Sequence, residues 1–518
     1  MALILVLVVC ALMALAAYQF ADSMIVYATH VRTDHRYAIE QSLAESAGAT
    51  ILAAIEARDV HDVSSTFGVK HLIAGHRLLE TRDGSLLGKF SVYFETENAS
   101  AREFVMGLED ESAKLNLHSL PLSKEQQHRA RTALMQVPGL TAQIADSILD
   151  WIDADDEPRP FGAETSYYSS LPQPYRAANG RLESLDDLLL VRGVTKQLLH
   201  GETASSEVAT QTARTSVRAW DHYLTVVSRE CNTARHGTAR ININDHQLDR
   251  IYDQIAGQHS AELAKFVVAL RLAGPMDGGN SSSQAMSEED EIAQAELRIK
   301  QQLMDPPASA NEDKPKQAAT RDGMDLSARP VYRIRSLADL WGTKVRLLID
   351  GKDEVLTSPW REDPRDLRKL YADVGNTLST HAETTIEGRV NVNRAPQEVL
   401  QMIPGLGLPL AQAIALRQRD LSGELLADRL ASRNSLAWLV EDGLVSAVQL
   451  RELAPYLTCR GDVYRGLIGC QTAHRNDIAK FAILVDGASP RKSLRYIKYL
   501  GRENDATILK ALSLESAR

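Results

Sequence analysis

The run Asp150-Trp151-Ile152-Asp153-Ala154-Asp155-Asp156-Glu157 gathers five carboxylates in eight residues, and Gly162-Ala163-Glu164 adds a sixth before Tyr167-Tyr168. Closely spaced carboxylates on a loop are hard oxygen ligands suited to calcium. The spacing is not that of an EF-hand, which needs Gly at its sixth position and Glu at its twelfth. A solvated acidic loop or helix C-terminus is the alternative reading. Carboxylate catalysis would need a placed base, nucleophile or second acid, and the sequence sets none beside this run.

Other residues with potential chemistry are sparser. Cys10, Cys231, Cys459 and Cys470 form no C-x-x-C pair, which argues against zinc. Cys459 and Cys470 flank a turn at Arg460-Gly461-Asp462. In an oxidising compartment they could pair, with buried free thiols as the alternative. Two segments read as helix-hairpin-helix, one turning at Pro138-Gly139-Leu140 and one at Pro404-Gly405-Leu406-Gly407. Such hairpins often bind DNA through backbone amides and basic residues. However, residues 104–201 carry 14 acidic and 9 basic residues. Phosphate contacts need positive charge, so packing is preferred to DNA binding.

The elements that must hold these groups follow from spacing. An N-x-[NH] triplet opens an apolar helical stretch at Asn116-Leu117-His118, Asn242-Ile243-Asn244 and Asn391-Val392-Asn393. Ser-Leu-x-x-Leu alternates with it at Ser184–Leu188, Ser336–Leu340 and Ser435–Leu439, where Ser184/Asp187 and Ser336/Asp339 fit a capping box. Tyr-Leu-Thr closes the first and third copies, at 223–225 and 456–458. The pattern predicts a duplicated helical unit. Strand-like runs lie at Lys89–Glu95, Phe104–Leu108, Tyr464–Gln471, Lys480–Asp486 and Ser493–Leu500. They fit one antiparallel sheet into which the helical units are inserted.

The N-terminus carries no charge before Asp22, long enough at 1.5 Å per residue to cross a bilayer core of roughly 30 Å. Ile39, Leu43, Ala47, Ile51 and Ile55 then recur every four residues, so one helix is predicted to about Ala57, apolar all round and then amphipathic. The whole chain has 518 residues, net charge −10 and 44% hydrophobic residues. These figures exclude collagen, wholesale disorder and a small disulfide scaffold, and make a generally basic nucleic-acid binder a poor fit. Residues 274–329, rich in Gly, Ser, Glu and Pro, read as a flexible linker with a short helix near Ile292–Leu303.

Several motifs resemble one family. Glu109-Asp110-Glu111-Ser112-Ala113-Lys114-Leu115-Asn116-Leu117 resembles its D-E-S-G-K-I-N-L-N, with Ala113 in place of Gly and His118 in place of Asn. The acidic run with Gly162-Ala163-Glu164 and Tyr167-Tyr168 resembles its D-W-I-D-x-D…G-A-E…Y, and Asn391-Val392-Asn393-Arg394-Ala395-Pro396 its N-V-N-x-A-P. The family is general secretion pathway protein K, the large minor pseudopilin of type II secretion. The resemblance implies an α+β fold: a pilin-like long N-terminal helix and antiparallel sheet with a large all-helical domain of helix-hairpin-helix, SAM-like units inserted. It also implies a non-enzymatic role capping the tip of a periplasmic pseudopilus in support of protein export. The implied partners are other minor pseudopilins, the major pseudopilin and a prepilin peptidase. The helix would anchor the chain once in the inner membrane.

If Met1 is the mature first residue, Leu5 occupies the position where most pilins carry Glu and this family lacks it. The missing basic leader implies a start upstream of Met1. Calcium is expected near Asp153, Asp155, Asp156, Glu157 and Glu164, in a structural role. The expected division is 1–21 and 22–108 for the helix and first strands, 109–222, 223–273 and 330–455 for helical units around the 274–329 linker, and 456–518 for the last strands. A membrane-anchored, competence-type DNA-binding protein using the 391–417 hairpin is the second reading.

Overall fold

The computed structural model describes residues 2–57, 76–80, 86–98, 101–123, 126–201, 218–234, 237–276, 320–419, 432–472 and 477–503. Helix α1 runs unbroken over Ala2–Ala57. It is long and apolar enough to cross a membrane, and its apolar window is wholly exposed. Leu5 lies on that exposed surface, and Met1 falls outside the described residues. The predicted stripe is the buried face: Leu43, Ala47, Ile51 and Ile55 pack with Phe90, Val92, Ile468, Phe481 and Ile483. The helix end is closed by Lys492, whose Nζ donates to the Ile55 carbonyl at 2.6 Å.

The sheet beneath has seven antiparallel strands: β1 His76–Glu80, β2 Leu86–Asn98, β3 Ala101–Met106, β4 Glu109–Asp110, β5 Val463–Thr472, β6 Ile478–Asp486 and β7 Ser493–Glu503. Its main order is β1-β2-β5-β6-β7, with β3 on β2 and β4 on β5. All five predicted strands are present. The chain between β4 and β5, the central strand, is an insertion into this scaffold.

The insertion is built from three equivalent units, each closed by a short parallel pair. Leu115–Asn116 pairs with Leu224–Thr225, Ile241–Asn242 with Leu378–Ser379, and Val390–Asn391 with Leu457–Thr458. The first strand of each pair ends in the triplet's leading Asn, whose Oδ1 accepts the amide two residues on, at 3.0 Å in all three. The third triplet residue then bridges distant backbone. Asn244 Nδ2 donates to the Ile334 and Thr380 carbonyls at 2.8 and 3.1 Å. Asn393 Nδ2 donates to Arg433 and Cys459 at 3.0 and 2.8 Å. In the first unit His118 Nε2 accepts the Leu182 amide at 3.1 Å. Burial, then the neighbouring Arg181 charge, lowers the His118 pKa, which favours the neutral ring that this bond requires.

After each triplet comes a helix pair: α2 Gln127–Leu134 with α3 Ala142–Ile152, α4 Leu248–Gln258 with α5 Ala261–Ala273, and α6 Gln397–Gln401 with α7 Leu408–Arg419. Gly139 and Gly405, at φ 77° and 83°, supply the left-handed residue in the first and third turns. Thr141 and Ser260 cap α3 and α5.

The structure corrects some of these expectations and decides between the two readings of the cysteines. The pairing of Ile241–Asn242 with Leu378–Ser379 joins residues 237–276 and 320–379, where the sequence reading placed a unit ending at 273 and another beginning at 330. The exit strand there is Leu378–Ser379, which lacks the Tyr-Leu-Thr signature. The Ser184 and Ser336 boxes open 3₁₀ helices, not α-helices, and the third copy is not capped by its Ser. Cys459 and Cys470 are free and buried. Cys459 packs in the helical core and Cys470 under α1. Seven residues of extended strand separate Val463 from Cys470, roughly 23 Å at strand rise, so the thiols cannot meet. The linker reading and its short helix fall mostly on 277–319, outside the described residues.

Removing an Asn bridge leaves buried carbonyls unpaired, at about 1–3 kcal/mol each. Asn244→Ala and Asn393→Ala should each lower the thermal midpoint of the full chain. His118→Ala, at a half-buried site, should lower it less. Equal effects at all three positions would contradict the bridging role.

Candidate metal centre in the first helical unit

Asp150 sits in the last turn of α3 and Asp153 is its C-cap. Their three-residue spacing puts both carboxylates on one helical face. The negative end of the helix dipole makes this a poor place for anions. The following loop nevertheless returns Glu164 to the same point. One carboxylate oxygen from each of Asp150, Asp153 and Glu164 lies within 4.8 Å of the others, and all three residues are buried. Gly162 permits the approach: a Cβ there would lie 1.8 Å from Asp150 Oδ2. Packing holds the return. The Trp151 and Tyr168 rings meet edge to face at 5.0 Å, Tyr175 stacks on Tyr168 at 5.2 Å, and the Arg192 amide donates to the Tyr168 hydroxyl at 3.2 Å.

One cation faces this cluster from within the loop. Arg159 Nη1 donates to Asp150 Oδ1 at 2.7 Å and also to Asp153 Oδ2. Its backbone amide reaches Asp150 as well. Burial works against the Arg159 charge, but the two aspartates outweigh it and raise its pKa. Arg159 does not satisfy the cluster. Asp153 Oδ1 and both Glu164 oxygens are buried with no hydrogen-bond partner among the described residues. Burial, then the charges of Asp150 and Asp153, pushes the Glu164 carboxyl up to about 8. Burial raises Asp150 and Asp153 too, against the pull of Arg159.

Of the five ligands expected from the sequence, the structure brings Asp153 and Glu164 together. Asp155, Asp156 and Glu157 are exposed. Asp155 Oδ1 accepts the Glu157 amide at 2.9 Å and Asp156 Oδ1 the Thr165 amide at 3.3 Å, so these two shape the loop. Asp150 was missed as a ligand, although its helical spacing from Asp153 carried the signal. Arg159 was missed because nothing in its sequence position says which carboxylates it meets. Pro138, Gly139, Pro404, Gly405 and Gly407 lie in the turns of their helix pairs, and the Trp220 indole donates to the Pro138 carbonyl at 3.0 Å.

Residues 113–201, which contain this site, match the family model for Type II secretion system (T2SS), protein K. Type II secretion system protein K of Pectobacterium carotovorum subsp. carotovorum is 43% identical over 56 residues, 11% of this chain and 17% of that protein. The putative type II secretion system protein K of Escherichia coli (strain K12) is 42% identical over 60 residues, 12% of this chain and 18% of that protein. Over this region the chain is similar to the type II secretion system protein K family. The aligned stretches span under a fifth of the curated relatives' own length. A further protein K, from Aeromonas hydrophila, is 44% identical over 57 residues, 11% of this chain and 17% of that protein. The crystal structure of the GspK-GspI-GspJ complex from enterotoxigenic Escherichia coli aligns over 91% of this chain and 99% of its own, at 10% identity and TM-score 0.36. Such a weak likeness adds nothing to the protein K assignment, which rests on residues 113–201.

The raised Glu164 pKa has a sign. Between the ordinary carboxylate pKa of 4.5 and about 8, the folded chain holds a proton that the unfolded chain has lost. Stability contributed by the protonated form is therefore present below pH 4.5 and is lost as pH rises to about 8. In chelator, the thermal midpoint should fall across this window, and Glu164→Gln should flatten the fall. A wild-type midpoint that instead rises through it would show that Glu164 is ionised and already satisfied.

Proposed function

We propose that this protein is a minor pseudopilin that caps the tip of the type II secretion pseudopilus and supports export across the outer membrane. The observation that carries the reading is the division of α1. Its first residues, through Ala17, carry only apolar side chains, and its second half packs on a sheet that carries the matched protein K region within an insertion. A helix of this kind suits anchoring in the inner membrane, with the globular part in the periplasm, and lateral packing among other pseudopilin helices. Its partners on this reading are other minor pseudopilins, the major pseudopilin and the prepilin peptidase that would process its N-terminus. The solved GspK-GspI-GspJ complex names partners of that kind for the enterotoxigenic protein.

Calcium belongs to the same proposal, as a structural ion. Three buried carboxylates with one guanidinium leave excess negative charge and unsatisfied oxygens, which fits a hard, oxygen-seeking divalent ion. Asp150, Asp153 and Glu164 would hold it, and Arg159 would orient the two aspartates by occupying one oxygen of each. The ion would supply charge balance that lets the loop close on α3, with no part in catalysis.

Two measurements test these readings separately. Co-expression of the full chain with candidate minor pseudopilins, followed by detergent extraction and affinity purification, should recover a stable complex. Failure to recover any pseudopilin would remove the tip assignment. Millimolar calcium should raise the thermal midpoint of the full chain, and Asp150→Asn with Glu164→Gln should abolish the rise, because an ion that binds only the folded state must stabilise it. An equal rise in the double variant would place the ion elsewhere.

A further inference from the structure

Arg240 presents the opposite imbalance at another place in the insertion. The isolated bridge between Thr233 and Ala239 sets Arg240 beside the strand Arg229–Cys231. Two more guanidiniums converge on that strand. Arg389 Nη1 donates to Glu230 Oε1 at 3.0 Å, and Arg460 Nη2 donates to the Cys231 carbonyl at 2.9 Å. Their side chains are only 18% and 16% exposed. Glu230 and Asp462 are the carboxylates near this group, and both are already engaged: the other oxygen of Glu230 accepts from the Thr458 hydroxyl, and Asp462 Oδ2 accepts the Cys231 amide at 2.8 Å and lies 3.9 Å from Arg460 Nε. Arg240 makes no hydrogen bond or ion pair among the described residues, and its Nε is buried. Burial, then the charge of Arg460, lowers its pKa to about 10.

A partly desolvated guanidinium beside two like charges, with no acceptor, costs stability. Solvent and Glu230 offset part of that cost and leave the fork-shaped donor set unfilled. We propose that Arg240, flanked by Arg389 and Arg460, forms a binding site for an oxyanion, a carboxylate or phosphate group, at the Arg229–Cys231 strand. Guanidinium donors suit both chemistries, because each offers paired oxygens to a planar fork. Two sources carry such groups: a free phosphate, or an acidic segment of another protein. The site lies apart from the acidic loop of the first unit and uses none of its residues.

The test is thermal unfolding of the full chain in detergent, without added calcium and at constant ionic strength set with sodium chloride. Inorganic phosphate and a tetraglutamate peptide are the two probes. The wild type should show a saturable rise of a few degrees with at least one probe. Arg240→Met should abolish that rise. In chloride alone, Arg240→Met should melt higher than the wild type, since it removes an uncompensated charge; a merely structural arginine would give the reverse. A rise with phosphate alone supports the free-anion source, and a rise with tetraglutamate alone supports an acidic protein segment. No rise with either probe, an equal rise in Arg240→Met, or a lower midpoint for Arg240→Met in chloride would each overturn the proposal.

Discussion

Glu111 has no route to water, and the attachment of the insertion to the sheet depends on how its charge is met. It lies immediately after β4, where the chain leaves the scaffold. Lys114 Nζ approaches it at 2.8 Å, Arg465 of β5 at 3.2 Å, and the Thr225 hydroxyl donates to its second oxygen. Burial favours the neutral acid, but Arg465 and Lys114 outweigh it and lower the pKa. The three partners come from three places: the entry to the first unit, the re-entry into the sheet, and the exit of the first unit. Removing any one would leave a buried charge underpaired, at a cost of about 3–5 kcal/mol for a broken buried pair. Asp110 and Asp462 extend the junction, accepting from Asn391 Nδ2 at 2.7 Å and the Cys231 amide at 2.8 Å. The insertion is thereby held by polar contacts that work in only one arrangement, where an apolar seam would tolerate sliding.

Within the insertion, the same economy repeats three times. A two-residue parallel pair cannot hold a unit of this size by its own hydrogen bonds. The bridging residue of the triplet makes up the difference by reaching both the exit strand and the segment before the 3₁₀ turn or short helix. In the first unit the chain between the second helix and that segment is the acidic loop; the corresponding 277–319 and 420–431 lie outside the described residues. The candidate metal centre therefore sits in a unit whose ends are already closed.

Much of this was legible in the sequence, for a physical reason. A four-residue apolar stripe and alternating strand patterns are local, so α1 and the five strands could be read directly. The triplets could be found because an Asn that accepts its own i+2 amide leaves a local signature. Their bridging partners, 90 and 136 residues away for Asn244, leave none. The second unit's exit strand escaped because Leu378–Ser379 makes the same backbone pairing without the side chains of Tyr-Leu-Thr. Of the two readings of Cys459 and Cys470, buried free thiols is the one the structure shows, because the residues before Cys470 run as straight strand. Two exposed members of the acidic run, Asp155 and Asp156, accept backbone amides of the loop, while Asp150, Asp153 and Glu164 are buried together. Which carboxylates a fold buries together is a tertiary property.

The placement of charge separates the two halves of the molecule. In the half built on α1 and the seven-stranded sheet, guanidinium meets two buried carboxylates: Glu40 by Arg502 at 2.7 Å and Asp486 by Arg495 at 2.6 Å. These pairs join α1 to β7 and β6 to β7, and they ask nothing of a ligand. Among the described residues the insertion instead holds Glu164, with both oxygens buried and unpartnered, and Arg240, whose Nε is buried without an acceptor. Their signs are opposite, yet neither neutralises the other, because each is fixed by a different unit's closure. On the readings proposed above, a response to ions would therefore reside in the insertion and not in the α1–sheet scaffold.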